Sequence, residues 1–271
     1  MALNLLQAMI LGIIQGLTEF LPVSSSGHLV LGKELLGVHV QGITFEVFVH
    51  FGTLLSVVTF YRREILGLLR SFWKGLAQAG QIREYYRQDR SFRWVIYIII
   101  GTIPAGVIGV LFEAPIERAF NDARMVAGML MITGVILLLT RYIRPPQQEM
   151  TLRHAILVGF AQAIAILPGI SRSGTTICTA LYLGVSREEA VRYSFLLSIP
   201  VIFGATLLKS VELINNLPTA SELLNLVAGT GAAFISGYAA IKLLILIARG
   251  GKLDYFSWYC FTIGIAGMLY L

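Results

Sequence analysis

The sequence predicts an all-α integral membrane protein: six transmembrane helices plus two re-entrant helical hairpins in an inverted-topology repeat. Three features predict it. Apolar runs reach bilayer-spanning length, two runs are broken at the centre by polar Pro- and Gly-bearing patches, and basic residues gather on alternate loops. Of the 271 residues, 56% are hydrophobic and 13% charged, with a mean hydropathy of +0.76. A soluble domain carries about 25% charged and about 45–50% apolar residues. The net charge of +6 lies beside apolar spans, where the positive-inside rule accounts for it, so no nucleic-acid partner is expected. The first apolar stretch lacks a basic start and a small-residue cleavage site, so no signal peptide is expected.

Six segments are long and apolar enough to span: 44–61, 94–112, 125–143, 193–213, 224–248 and 255–271. Runs of roughly 20 apolar residues read as bilayer-spanning helices. Stretches 3–36 and 155–184 differ. Each is interrupted, by Leu21-Pro22-Val23-Ser24-Ser25-Ser26-Gly27-His28 in the first and Leu167-Pro168-Gly169-Ile170-Ser171-Arg172-Ser173-Gly174 in the second. Irregular backbone at membrane depth survives only where protein or a wet cavity satisfies its polar groups, so both stretches are expected to be re-entrant hairpins.

Segment 62–93 carries eight Arg or Lys against three acids and is expected on the cytoplasmic side, as an amphipathic helix pair. Alternation then places 141–154 and 249–254 inside and 113–124 outside. The first hairpin must enter from the outside and the second from the inside. Residues 1–271 thus form a single membrane domain: one repeat half over about 1–143, with the basic insertion 62–93, and the other over about 155–271. The repeat is visible in the letters. Counted from Gly12 and Gly159, the residue pairs Gln15 and Gln162, Ser24 and Ser171, Ser26 and Ser173, and Gly27 and Gly174 fall at the same offsets without a gap.

Polar chemistry collects at the two breaks. The first offers Gln15, Glu19, Ser24, Ser25, Ser26 and His28; the second offers Ser171, Arg172, Ser173, Thr175 and Thr176. Burying an ionisable group at a helix centre costs roughly 2.5–3.5 kcal/mol on insertion scales, so a functional site is the default reading over a structural ion-pair cluster. Arg172 is a planar donor fork suited to phosphate oxygens. The Gly-bounded loop around it is expected to open a helix whose N–H groups hold an anion. Ser25 and His28, three residues apart with Glu19 near, supply a hydroxyl nucleophile, a base and a carboxylate. Gln15 and Glu19, one turn apart on a helix face, are a candidate site for Mg²⁺ or Ca²⁺, though with one carboxylate the signal is weak. Glu46 and His50 are candidate supporting residues. His39 and His154 read as loop histidines, Lys209 and Lys242 as snorkelling cations, and Cys178 and Cys260 as packing residues.

These motifs resemble a known family. Gln15-Gly-Leu-Thr-Glu19-Phe-Leu-Pro-Val-Ser24-Ser25-Ser26-Gly-His28 resembles the (E/Q)xxxE and PxSSxGH segments of the bacitracin-resistance type of undecaprenyl-diphosphate phosphatase. Pro168-Gly-Ile-Ser171-Arg172-Ser173-Gly-Thr175-Thr176 resembles its PGxSRSxxT segment. The resemblance implies hydrolysis of undecaprenyl diphosphate to the monophosphate and inorganic phosphate, which recycles the lipid carrier for cell-wall synthesis and lowers bacitracin sensitivity. It also implies a divalent cation and a bacterial inner-membrane location, with the catalytic face periplasmic or extracellular. By the same resemblance, Glu19 and Gln15 organise metal or water and Arg172 clamps phosphate. Ser171, Ser173 and Thr176, with Ser24 and Ser26, are phosphate-binding donors, and Ser25 with His28 is the nucleophilic pair. Ser25 with His28 as base is the preferred assignment, and a phosphohistidine at His28 is the alternative. This chain has Gln at 15, so a second carboxylate ligand is missing.

The expected partners are a polyprenyl diphosphate lipid and the bilayer, with a homodimer left open. The rival reading is a transporter on the same inverted repeat, a lipid-phosphate flippase or an anion carrier. It needs no nucleophile.

Overall fold

The structure, a computed structural model, describes residues 3–35, 44–120, 122–143, 147–215 and 219–270, without the side chains of 44, 79, 208–215, 220 and 221. His39 and the side chain of Lys209 therefore lie outside the described residues. The chain is helical almost throughout. Among the described residues, the β-structure is one isolated bridge between Gln148 and Val185.

Helices occupy all six segments expected to span: α3 (Thr44–Phe60), α6 (Arg90–Leu111), α8 (Ala123–Leu139), α11 (Arg187–Asn215), α12 (Ala220–Arg249) and α13 (Tyr255–Tyr270). Four of them, α6, α8, α11 and α12, are long and apolar enough by themselves to cross a bilayer. The two interrupted stretches each form a pair of short helices, α1 (Leu5–Phe20) with α2 (Ser25–Leu35), and α9 (Leu152–Ile164) with α10 (Arg172–Tyr182). His154 is therefore a helical residue, mostly buried in the first turn of α9, and not the loop histidine expected from sequence. The basic insertion is a helix pair, α4 (Arg62–Ala77) and α5 (Ile82–Gln88), and α7 (Glu113–Ala119) follows α6.

Side-chain contacts give the helix directions. Gly12 faces Gly229 and Gly16 faces Ala233 and Gly237, so α1 runs parallel to α12. Ser56 donates to the Phe234 carbonyl at 2.8 Å and Thr230 to the Phe48 carbonyl at 3.2 Å, so α3 is parallel to α12 as well. On the other side, Gly159 faces Gly101 and Gly109 faces Ile166, which makes α9 parallel to α6. Tyr193 donates to the Tyr97 carbonyl at 2.7 Å and Leu197 meets Gly101, which makes α11 parallel to α6. Where the groups meet, Arg249 at the end of α12 pairs with Glu188 at the start of α11, and Tyr61 just beyond the end of α3 packs on Phe195 of α11, an antiparallel register. The two three-helix groups therefore run in opposite directions, and α1 opposes α9.

The largest apolar cluster lies where these groups meet, around Phe20, Ile177, Tyr193, Phe195, Leu196 and Ile241. Cys178 and Cys260 are free and buried in a second cluster with Val23 and Leu137, as packing residues. Asp89 fastens the insertion to the bundle. Its carboxylate accepts from Phe92 N–H at 2.7 Å, from Ser71 at 2.7 Å and from Tyr85 at 3.2 Å, so it caps α6 while holding α4 and α5. Burial alone would raise the Asp89 carboxyl, but these hydrogen bonds hold it below the ordinary range.

Membrane helices associate through small residues that let backbones approach. A Cβ at Gly159 would stand 2.7 Å from the Gly101 carbonyl, and one at Gly12 would run into the Gly229 carbonyl, whereas Gly67 and Gly106 have open space. Gly12→Val and Gly159→Val are expected to destabilise by about 1–3 kcal/mol through overpacking. Gly67→Ala, relieving helical glycine, is expected to be neutral or to stabilise by up to about 1 kcal/mol. Thermal unfolding in detergent reads both; equal effects at the two classes of site would refute the close-approach assignment.

Candidate active site

The two helix breaks face one another, and each is built by ordinary local rules. Pro22 forces Leu21 into an extended conformation (φ −63°, ψ 142°), which ends α1. Ser24 then takes the left-handed region at φ 67°, uncommon for a side-chain-bearing residue. Its hydroxyl accepts from Gly27 N–H at 3.3 Å, capping α2. In the second break Gly169 has φ +92°, and any Cβ there would meet α8 at Val126 and Met129, so both conformation and space require glycine. Ser171 caps α10, accepting from Gly174 N–H at 3.0 Å.

Ser25 and Arg172 are the first residues of α2 and α10, and counted from Gly12 and Gly159 they occupy the same position in the two breaks. Both reach one carboxylate. Arg172 Nη2 donates to Glu19 Oε1 at 2.5 Å, and Ser25 Oγ donates to Glu19 Oε2 at 2.7 Å. Gln15 Nε2 adds a third hydrogen bond at 2.9 Å to Oε2. His50 Nε2 stands 3.8 Å from the same oxygen, its ring held by Nδ1–H donating to the Glu46 carbonyl at 2.7 Å. Glu19 is 7% exposed and Gln15 fully buried. Helix geometry leaves the first N–H groups of α2 and α10 without partners inside their own helices, and those two N-termini add positive potential beside Arg172.

Further contacts seal the two tips. Gly169 N–H donates to Ser26 Oγ at 3.4 Å, Ser173 donates to the Leu21 carbonyl at 3.3 Å, and Gly174 packs on Pro22. Ser26 also shares a hydrogen bond with Ser24, and Ser171 shares one with Ser173.

Most of the residues expected from sequence therefore gather here, but two take different company. His28 is not joined to Ser25. Its Nδ1–H donates to the Ser24 carbonyl at 2.8 Å, and its Nε2 is bonded to the Tyr259 hydroxyl at 2.8 Å. The group in contact with the Ser25 hydroxyl is the Glu19 carboxylate instead. The Thr176 hydroxyl is already engaged, sharing a 2.7 Å hydrogen bond with Ser194 and reaching the Arg172 carbonyl at 2.8 Å. Glu46 pairs with Lys33, joining α3 to α2.

Sequence reasoning missed Thr133. From α8 its hydroxyl donates to the Gly169 carbonyl at 2.9 Å and accepts from Ser171 N–H at 3.0 Å, holding the second tip in shape. The sole signal was a threonine inside an otherwise apolar span. Tyr259 and Ser194 were missed for the same reason: each lies in a span that carries no motif.

Three donors or acceptors at the site are buried without a hydrogen-bond partner: Arg172 Nη1, Gln15 Oε1 and Thr175 Oγ1. Such groups are costly unless a ligand meets them. Arg172 Nη1 suits an oxyanion. Gln15 Oε1 and the Glu19 carboxylate are oxygen donors of the kind that Mg²⁺ or Ca²⁺ prefers, with Gln15 turning its Nε2 to Glu19.

Compared with known proteins, the chain matches the family described as bacitracin resistance protein BacA over residues 8–266. It is 47% identical over 264 residues to a protein of Salinibacter ruber named undecaprenyl-diphosphatase, covering 97% of each chain. Proteins of the same name from Halothermothrix orenii and Korarchaeum cryptofilum are each 43% identical. The first match covers 97% of this chain and 96% of the relative, the second 97% and 98%.

The Glu19–Arg172 pair carries a structural expectation. Breaking a buried ion pair by removing one partner leaves an uncompensated charge and costs about 3–5 kcal/mol. Glu19→Gln and Arg172→Met should each lower the unfolding temperature, and the double variant should recover much of the loss. A double-mutant cycle in detergent measures this, and purely additive effects would contradict the pairing.

Proposed function

The chain belongs to the BacA bacitracin-resistance family, and from that membership we infer that it is an undecaprenyl-diphosphatase. It hydrolyses undecaprenyl diphosphate to undecaprenyl phosphate and inorganic phosphate, the activity for which its relatives are named. The reaction returns the lipid carrier to cell-wall synthesis and underlies bacitracin resistance. One observation ties this activity to residues: Arg172 and Ser25, a phosphate clamp and a nucleophile, share the Glu19 carboxylate.

Glu19 stands where a phosphate oxygen would stand and keeps Arg172 in its binding geometry. Diphosphate takes over Arg172, including the unpartnered Nη1, and adds the first-turn N–H groups of α2 and α10. Released from the ion pair, Glu19 accepts the Ser25 proton along their existing hydrogen bond. Ser25 Oγ attacks the terminal phosphorus, the bond to the bridging oxygen breaks, and undecaprenyl phosphate leaves with the electron pair. His50, 3.8 Å from Glu19, is placed to carry the proton away. Glu19 then takes a proton from the water that attacks the phosphoserine, the bond between phosphorus and Ser25 Oγ breaks, and Glu19 returns the proton to Ser25 Oγ along their hydrogen bond as inorganic phosphate is released. Ser171 and Ser173 line the clamp, while His28 fixes the first tip through the Ser24 carbonyl. Gln15 and Glu19 would hold a divalent cation, whose chemistry is to neutralise charge on the diphosphate.

The architecture is read as six spans and two re-entrant hairpins entering from opposite faces. Its support is the packing pattern. Exchanging α1 with α9, α3 with α11 and α6 with α12 turns the α1–α12 contact into α9–α6 and the α3–α12 contact into α11–α6. The basic residues of the insertion support a cytoplasmic side for α4 and α5 in a bacterial inner membrane, and in this reading the lipid diphosphate reaches the site from the outer leaflet.

Phosphate release from undecaprenyl diphosphate by protein in detergent tests the reading. Release should require Mg²⁺ or Ca²⁺ and cease with EDTA. Ser25→Ala and Arg172→Ala should each lower turnover by at least about 10²–10³-fold, the cost of losing a group aimed at developing charge. A transporter without hydrolysis would show no release from folded wild type, and Ser25→Ala would leave its transport intact.

A further inference from the structure

Away from the junction of the two helix breaks, an open cleft lies at the corner between α3 and α4. One lobe, of about 470 Å³, is lined by Phe60, Arg62, Arg63, Glu64 and Tyr238 among others. A second lobe of about 320 Å³ shares Phe60 and Tyr61 with it and adds Arg187, Glu188, Arg192 and Arg249. Both volumes are in the range of ligand sites, roughly 300–1,000 Å³. Tyr238 and Arg249 are 11 positions apart on α12, so the cleft follows about 16 Å of that helix.

Its charge is unbalanced. The two lobes hold five arginines and two glutamates. The glutamates are taken: Glu64 pairs with Arg192 at 3.5 Å and Glu188 with Arg249 at 3.4 Å. Among the described residues no carboxylate pairs with Arg62, Arg63 or Arg187. Lys242 adds a further cation, its ammonium 4.7 Å from the Tyr238 ring centre.

The adjoining helix shows what this surface touches. On α4, Leu66, Leu69, Trp73 and Leu76 are 46–65% exposed. At 100° per residue they fall within an arc of about 80°, with Arg63, Arg70 and Lys74 along one flank. The opposite side packs inward, Gly75 against Phe92. An exposed apolar stripe edged by cations is the pattern of a helix lying in the bilayer interface.

We propose that this cleft is a binding site for the phosphate headgroup of an anionic phospholipid, held by Arg62, Arg63 and Arg187, with the α4 stripe seated in the acyl boundary beside it. The shape and charge complement one another. Unpaired guanidinium groups meet a phosphodiester, aromatic walls meet the glycerol and upper acyl region, and basic juxtamembrane segments draw anionic lipid. This site is separate from the phosphatase chemistry and does not depend on it.

The test uses the full chain in a neutral detergent, following thermal unfolding while phosphatidylglycerol, phosphatidylcholine or inorganic phosphate is added. Phosphatidylglycerol is expected to raise the unfolding temperature by roughly 3 °C at about tenfold Kd, and the other two to leave it unmoved. Arg62→Gln/Arg63→Gln, which removes two exposed and unpaired cations, should lose most of that rise, whereas Arg172→Ala should keep it. Should the double variant fold poorly, Arg63→Gln alone carries the comparison. An equal rise with phosphatidylcholine would overturn the anionic selectivity. An equal rise with inorganic phosphate would overturn the lipid, and a full rise in the arginine variants would overturn the site.

Discussion

One buried carboxylate organises the molecule. Glu19 lies on α1, at the end of a broken helix, and holds Ser25 from the other side of that break and Arg172 from the second break. Neither charge is tolerable alone at such depth; an ion pair with hydrogen bonds to its remaining lone pairs is. The pairing does more than balance charge. It draws together two chain segments more than 150 positions apart and fixes the orientation of Arg172, the group that the proposed mechanism uses to hold phosphate.

The close approach depends on glycine. Gly12 against Gly229 and Gly159 against Gly101 bring α1 and α9 onto α12 and α6 at backbone contact, and this positions the ends of both broken helices. Polar contacts then set the fine geometry. Thr133 holds Gly169 and Ser171 from α8, and His28 ties the first tip to Tyr259 on α13. A site made of helix ends therefore borrows its rigidity from uninterrupted helices around it.

Much of this was legible in the letters, for physical reasons. A bilayer permits few structures, so an apolar run of about 20 residues reads as a helix, and helices stand on all six such runs. Pro22 and the Gly169 neighbourhood marked the breaks because Pro and Gly act locally. Glu19, Ser25 and Arg172 stood out because ionisable and nucleophilic residues are rare among apolar neighbours. Side-chain partnerships were not legible. The spacing of Ser25 and His28 suggested a hydrogen-bonded pair, yet His28 turns to Ser24 and Tyr259, and Ser25 turns to Glu19. Thr133 and Ser194 gave no local sign, since a threonine or serine in a membrane helix ordinarily bonds its own backbone one turn earlier. Only tertiary packing reveals that Thr133 reaches the second tip and Ser194 another helix.

The proposed chemistry turns on Ser25 as the residue whose oxygen bonds to phosphorus, with Glu19 as its base. Rapid quenching of the enzyme with terminally labelled diphosphate, followed by digestion and mass spectrometry, tests this most directly. The expected result is an acid-stable phosphate on Ser25 that forms and decays at the turnover rate and vanishes in Ser25→Ala. Label on an acid-labile phosphohistidine at His28, or turnover without any phosphoenzyme, would contradict it.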